Sequence, residues 1–236
     1  MMVRTRQSFW RGFWDCAPFM VIVVPYAMLF GVVARDAGLD IYQVMAMSVL
    51  VVAGASQFTA LALMQEHAPV IVILAASLAV NLRMAMYSAA LVPHLGHLRL
   101  RTRALISYLM VDQSFAVSVR KYAEEPDMKP DAKAAYYFGA LLAVGPLWYI
   151  CTFAGAAVGQ AIPPMFSLDF AVPVCFIAMT APMLRSLPHV VAAFASVAGA
   201  IVFSWMPYNL WLIAAALLAM IAGAQTEFYL KRKAQA

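Results

Sequence analysis

Long apolar runs separated by short polar breaks account for nearly the whole chain. Eight such segments can be drawn, at residues 14–34, 41–65, 69–92, 104–119, 135–161, 170–184, 190–206 and 208–229. A helix needs about 20 apolar residues to cross a hydrocarbon layer of about 30 Å. Most of these runs reach that length, and in lipid only helices or closed barrels satisfy their own backbone. The fourth and sixth are short and carry or adjoin a charge. The pattern therefore predicts an all-α, polytopic integral membrane protein of about eight transmembrane helices. Seven is the alternative, with a short segment re-entering or merging with its neighbour.

Several segments carry helix breakers near their middles, namely Pro25, Gly54 and the pair Gly145-Pro146. A proline inside a helix frees a carbonyl, which at membrane depth must find another partner or line a cavity. A packed kink explains any one of them. Together with polar residues at similar depth they point to a solute path through broken or kinked helices. The spacing Gly155…Gly159 allows close helix approach, within the chain or towards a partner.

Composition strengthens the membrane reading. Apolar residues make up 65% of the chain and charged residues 11%, with a mean hydropathy of +0.82. Between Lys133 and Arg185 the only charged residue is Asp169, and none lies between Arg185 and Glu227. Residues 1–13 read as a cytoplasmic N-terminal segment, 14–230 as a single transmembrane transporter domain and 231–236 as a basic cytoplasmic tail. Asp15 interrupts the first apolar run and no small-residue cleavage site follows, so that run reads as retained rather than as a secretory signal.

The net charge of +5 sits at segment ends, where it sets orientation, and does not point to nucleic acid. If eight segments cross, one face carries eleven basic residues, including Arg4, Arg6, Arg11, Arg120, Lys121 and Lys231-Arg232-Lys233. The other carries four: Arg35, Arg99, Arg101 and Arg103. The positive-inside rule then places both termini in the cytoplasm. The cluster Arg99–Arg103 on the outer face conflicts with that rule locally.

Polar groups inside the apolar runs are the candidate chemistry. Arg83 lies near the middle of the third run, where an unpaired cation costs a few kcal/mol or more. It stands ten residues before the loop 93–103, and Asp112 stands nine after it, so antiparallel helices bring the two to one depth. A structural salt bridge and a pair that opens for substrate or a proton both fit. Asn81 and Arg83, two apart, point to opposite sides of a regular helix unless it unwinds. Ser77, Asn81 and Ser88 share one face. Ser56 and Gln57 follow the small residues around Gly54 and supply hydrogen-bonding groups at similar depth.

Cys16, Cys151 and Cys175 have no paired spacing, and His94 and His97 have no carboxylate or cysteine nearby, so neither a metal site nor a cofactor is expected. An integral-membrane enzyme would need a cluster of His, Cys or paired carboxylates at one depth, and the spans offer one well-placed Asp. A non-transporting scaffold subunit would not need mid-membrane polar groups.

Gly54-Ala55-Ser56-Gln57-Phe58, Asn81-Leu82-Arg83 with Tyr87-Ser88-Ala89, Asp112…Phe115 and Asp169-Phe170-Ala171 together resemble the AzlC family. These are large subunits of bacterial branched-chain amino-acid exporters, and the resemblance covers nearly the whole chain. It implies a permease of the bacterial inner membrane, a small AzlD-like membrane subunit as partner, and leucine, isoleucine, valine or methionine as substrate. Within that picture Ser56, Gln57, Asn81 and Arg83 would bind substrate, and Asp112 with Arg83 would couple protons or form an ion pair. Two positions depart from the family pattern: Met84 stands where His is common, and Gln113 where Glu is common. If either residue carries protons in relatives, this protein would couple through Asp112 or not in that way.

Overall fold

A computed structural model of the chain describes residues 2–159, 177, 184, 186–206 and 210–235. Apart from Ile177 and Leu184, the sixth apolar segment lies outside the described residues, as do Asp169-Phe170-Ala171 and Cys175. Among the described residues the structure is helical, without strands. Two compact units divide the chain: Met1–Gln57 with Asn81–Phe166, and Phe58–Val80 with Ser167–Ala236.

The first unit is built on a rib of parallel helices. Helix α1 (Met2–Cys16) passes through a short 3-10 turn, Ala17–Phe19, into α2 (Met20–Asp36), and both run beside α8 (Pro130–Val158). Two glycine crossings set the approach. A Cβ on Gly12 would collide with the backbone carbonyl of Tyr136, and one on Gly139 with that of Phe9. Further along, Gly31 faces the backbone of Thr152, and Gly155 that of Met28. Small residues at such points let two helix backbones touch. The Gly155…Gly159 spacing thus serves a contact inside the chain, since Gly159 also faces Val32. Residues 1–13, expected to precede the first span, belong largely to α1 and pack on α8.

Pro25 lies inside a continuous α2, and the interruption falls earlier, at Ala17–Phe19, where Pro18 occupies the first turn. Gly145 and Pro146 lie within a continuous α8.

The second apolar segment is not one helix. Asp40 caps α3 (Ile41–Leu50) through a reciprocal pair: its carboxylate accepts from the Gln43 N–H at 2.7 Å and its own N–H donates to Gln43 Oε1 at 2.8 Å. The chain is extended at Val51 and restarts as α4 (Gly54–Gln65). Gln57 Nε2 donates to Ser48 Oγ at 3.1 Å. Nine residues along a straight helix span about 13.5 Å, beyond the reach of those side chains. The chain therefore folds back at residues 51–53, and α3 with the start of α4 forms a hairpin.

The fourth segment folds back too. Helix α5 (Val70–Leu95) leads into α6 (Leu100–Tyr108) and α7 (Asp112–Glu124). Helix α6 returns antiparallel to α5: Arg103 Nη1 donates to Gly96 O at 3.3 Å, and Ile106 and Met110 join Leu91 and Leu95 in one buried cluster. After residues 109–111 the direction reverses. Asp112 meets Arg83, Phe115 stacks on Tyr87 at 4.0 Å, and Tyr122 lies 4.9 Å from His94. Helix α7 therefore runs parallel to α5, and the loop 120–133 lies at the same end as the loop 93–103. Tyr122 closes that end by donating to Lys133 O at 2.8 Å.

Within this unit the hairpins approach from opposite ends. Helix α3 starts just after α2 ends, near Gly159, whereas α6 and α7 start and finish where α8 begins. Their tips meet through the Tyr108 hydroxyl, which donates to Val49 O. Val49 is in the last turn of α3, where carbonyls lack an intrahelical donor.

In the second unit α9 (Leu187–Phe203) and α10 (Leu210–Gln235) pair antiparallel. A Cβ on Gly199 would stand 3.1 Å from Ala215, and one on Gly223 3.1 Å from Ala192. Three stretches of the described residues are long and apolar enough to cross a membrane: Thr5–Asp36, Val70–Leu95 and Pro130–Val158. The eight-segment reading treated 41–65 and 104–119 as through-going; both are hairpins near their middles. A period of apolar residues reports burial and not direction, so it could not separate a span from a return.

Candidate functional site

The polar residues of the apolar segments gather beside the two hairpin tips. At the second tip Arg83 Nη2 lies 3.1 Å from Asp112 Oδ2, with side-chain exposures of 27% and 26%. Arg83 stands near the middle of α5, and α5 is continuous through Asn81 and Arg83, so the helix does not unwind to present both to one point. Asp112 opens α7, where the positive end of the helix dipole adds to the arginine's pull on the carboxylate. Sequence counting matched the pair in depth but assumed a direct descent. The actual path is α6, a reversal, and the first residue of α7. Tyr87 lies in the field of both charges.

Not every atom of this group is used. Arg83 Nε, Asp112 Oδ1 and Asn81 Oδ1 are buried and lack a protein partner. Such groups ask for water, an ion or a ligand. Met84, the departure from the family histidine, packs as an apolar side chain against the cluster around Leu91 and Tyr122.

The first tip carries neutral chemistry. Gln57 and Ser48 are both 0% exposed and bonded to each other, while Gln57 Oε1 has no protein partner. Ser56 is buried beside them in sequence. Gly54 opens α4, and a Cβ there would stand 2.6 Å from Tyr26 and 2.7 Å from Trp148. The glycine is what lets the tip sit against those rings.

Three features had no clear sequence signal. Ser48 is one small residue in an apolar run, and Tyr108 is one aromatic among many. The reversal at 109–111 contains neither Gly nor Pro; the only hint is Asp112 itself, since an acidic residue suits the start of a helix. A further carboxylate, Asp15, accepts from the Tyr136 hydroxyl at 2.6 Å. Among the described residues no group of three or more His, Cys, Asp or Glu is placed to hold a metal. Cys16 and Cys151 are buried free thiols.

Outside the apolar segments, the loop that joins α7 to α8 is tied to α1. Arg11 Nη2 lies 2.9 Å from Glu125, and Lys121 Nζ also lies 2.9 Å from it. These partners, Arg11 first, hold the Glu125 carboxyl below its ordinary value.

A chain whose described residues are helical, with three apolar helices of membrane length and an ion pair at mid-helix, is a membrane protein. A model of the AzlC protein family matches residues 18–162, and the chain belongs to that family. A protein of Archaeoglobus fulgidus, described as an uncharacterized membrane protein, is 28% identical over 205 residues. That alignment covers 85% of this chain and 87% of the relative. No solved structure matches.

Proposed function

We propose that this protein is a transporter subunit, not an enzyme, that exports branched-chain or other hydrophobic amino acids across the cell's inner membrane. The observation that carries the reading is the Arg83–Asp112 pair at a hairpin tip. A charged pair there is costly to desolvate, and it leaves Arg83 Nε and Asp112 Oδ1 unfilled. A zwitterion brings one carboxylate and one ammonium, the complements of these two groups. In this account Arg83 takes the substrate carboxylate, Asp112 takes the ammonium or a proton, and Ser56, Gln57 and Asn81 hydrogen-bond the polar end.

In the same reading α1–α2, α5 and α8 cross the bilayer, and the two hairpins re-enter it from opposite faces. Arg99, Arg101 and Arg103 then join Arg4, Arg6, Arg11, Arg120, Lys121, Lys129 and Lys133 on one face, opposite Arg35. The conflict with the positive-inside rule disappears, and that face is cytoplasmic. Broken or re-entrant helices at mid-membrane supply backbone groups to substrate in transporters. A small AzlD-like subunit completes the exporter, and the proton gradient drives it.

The test is flux in proteoliposomes holding this chain with its co-expressed small subunit. Leucine or methionine should leave preloaded vesicles faster than from protein-free ones, with acceleration by an opposing proton gradient. Equal efflux from both would overturn the reading.

A further inference from the structure

A half-open cavity of about 490 Å³ lies where the two hairpin tips meet α8. Val52 from the first reversal and Leu109 from the second line it, with Phe9, Gly145, Pro146 and Tyr149. The cavity opens on one side, where its lining residues Leu142 and Pro146 are exposed. Ligand pockets occupy about 300–1,000 Å³ and are mostly apolar, with a few polar groups. This one has its polar groups at the edge. The Tyr149 hydroxyl bonds with Tyr108, which reaches Val49 O. Pro146, having no N–H, leaves the carbonyl of Leu142, another lining residue, without its helical donor.

Gly145 supplies the decisive observation. Gly12, Gly31, Gly139 and Gly155 are each pinned by a neighbouring backbone. A Cβ on Gly145 would meet only Leu141 of its own helix, at an ordinary 3.7 Å. Nothing in the packing forbids a side chain there, and glycine is a poor helix residue. What a side chain at Gly145 would enter is the cavity.

Resting on the transport reading above, we propose that this cavity is the subsite for the substrate's aliphatic or thioether side chain, and that Gly145 sets its size. The hairpin tips then serve both halves of one amphiphile: the ion pair beside the second tip takes the charged end, and the cavity takes the apolar end. A pocket of this kind sorts substrates by bulk, since one methylene in an apolar site changes discrimination by about tenfold or more.

The experiment compares wild-type protein with Gly145→Ala and Gly145→Leu, each with the small subunit, in counterflow of L-methionine, L-leucine and L-alanine. Alanine is the better helix former, so Gly145→Ala tests the idea even where Gly145→Leu folds poorly. The expected result is a drop of about tenfold in the leucine-to-alanine and methionine-to-alanine ratios for Gly145→Leu, and a smaller drop in the same direction for Gly145→Ala. Wild-type flux with unchanged ratios in both variants, the outcome a lipid-filled groove would give, overturns the subsite alone. Wild-type protein that moves none of the three overturns the transport reading and the subsite with it.

Discussion

The two hairpins use one backbone device with opposite chemistry. Each reverses over three residues, at 51–53 and 109–111, and restarts as a helix bearing similar letters, Ala55-Ser56-Gln57-Phe58 and Asp112-Gln113-Ser114-Phe115. The first is held by a neutral bond, Gln57 to Ser48, between fully buried side chains. The second is held by an ion pair of which about a quarter is exposed. Neutral groups tolerate full burial when each has a partner, whereas charges need partners and some access to water. The difference is one of chemistry: the first tip sits against Tyr26 and Trp148, and the second holds a partly exposed ion pair.

Breaking the charged tip should have the largest effect. Arg83→Met alone and Asp112→Leu alone each strand a buried charge, at a cost of about 3–5 kcal/mol. Both should lower the amount of folded protein in the membrane, measured by fluorescence-detected size exclusion. The double variant should recover much of that amount, because two apolar groups leave no orphan charge. It should nonetheless carry no flux. Strictly additive losses would show that the two residues are not partners, and full flux in the double variant would make the pair structural.

At the neutral tip Gln57→Leu should cost less, about 1–3 kcal/mol, because Ser48 is left buried without its partner. Its melting temperature in detergent should fall more than that of Ser56→Ala. A loss in Gln57→Leu as large as in Arg83→Met would erase the contrast between the tips.

The link between the tips comes next. Tyr108→Phe keeps the ring and removes the hydroxyl that bonds Val49 O and meets Tyr149, each bond worth about 0.5–1.5 kcal/mol. A small fall in melting temperature is expected, and no change would show that Val49 O finds another donor.

The smallest effect lies outside both tips. Arg11 and Lys121 depress the Glu125 carboxyl below 4.5. A depressed folded value means that the stabilisation is present above the unfolded value and is lost as pH falls through the folded one. Wild type should therefore lose a small part of its stability below about pH 4.5 that Glu125→Gln never has. Parallel pH profiles for the two proteins would remove the contact from the account.

Much of this was legible in the sequence. The apolar runs gave the helical membrane class, and the depth of Arg83 and Asp112 paired them. The order of short motifs gave the family. The reversals were not legible because hydropathy is the same for a chain that crosses and one that turns back. Gly54 marks the first reversal only after the fold is known, since its need is the closeness of Tyr26 and Trp148. Residues 109–111 carry no breaker at all. Pro25 lies inside a helix without interrupting it, and the 3-10 turn falls earlier, at Ala17–Phe19.

The central claim is that α6 and α7 form a return rather than a crossing. Single cysteines at His97 and at Asp127, in a background with Cys16, Cys151 and Cys175 replaced, test it in intact cells. Gly38→Cys, in the loop after α2, serves as the opposite-face reference. With a membrane-impermeant maleimide, His97→Cys and Asp127→Cys should both stay unlabelled until the membrane is opened, while Gly38→Cys labels at once. Labelling of one but not the other in intact cells would place the two loops on opposite faces and contradict the hairpin.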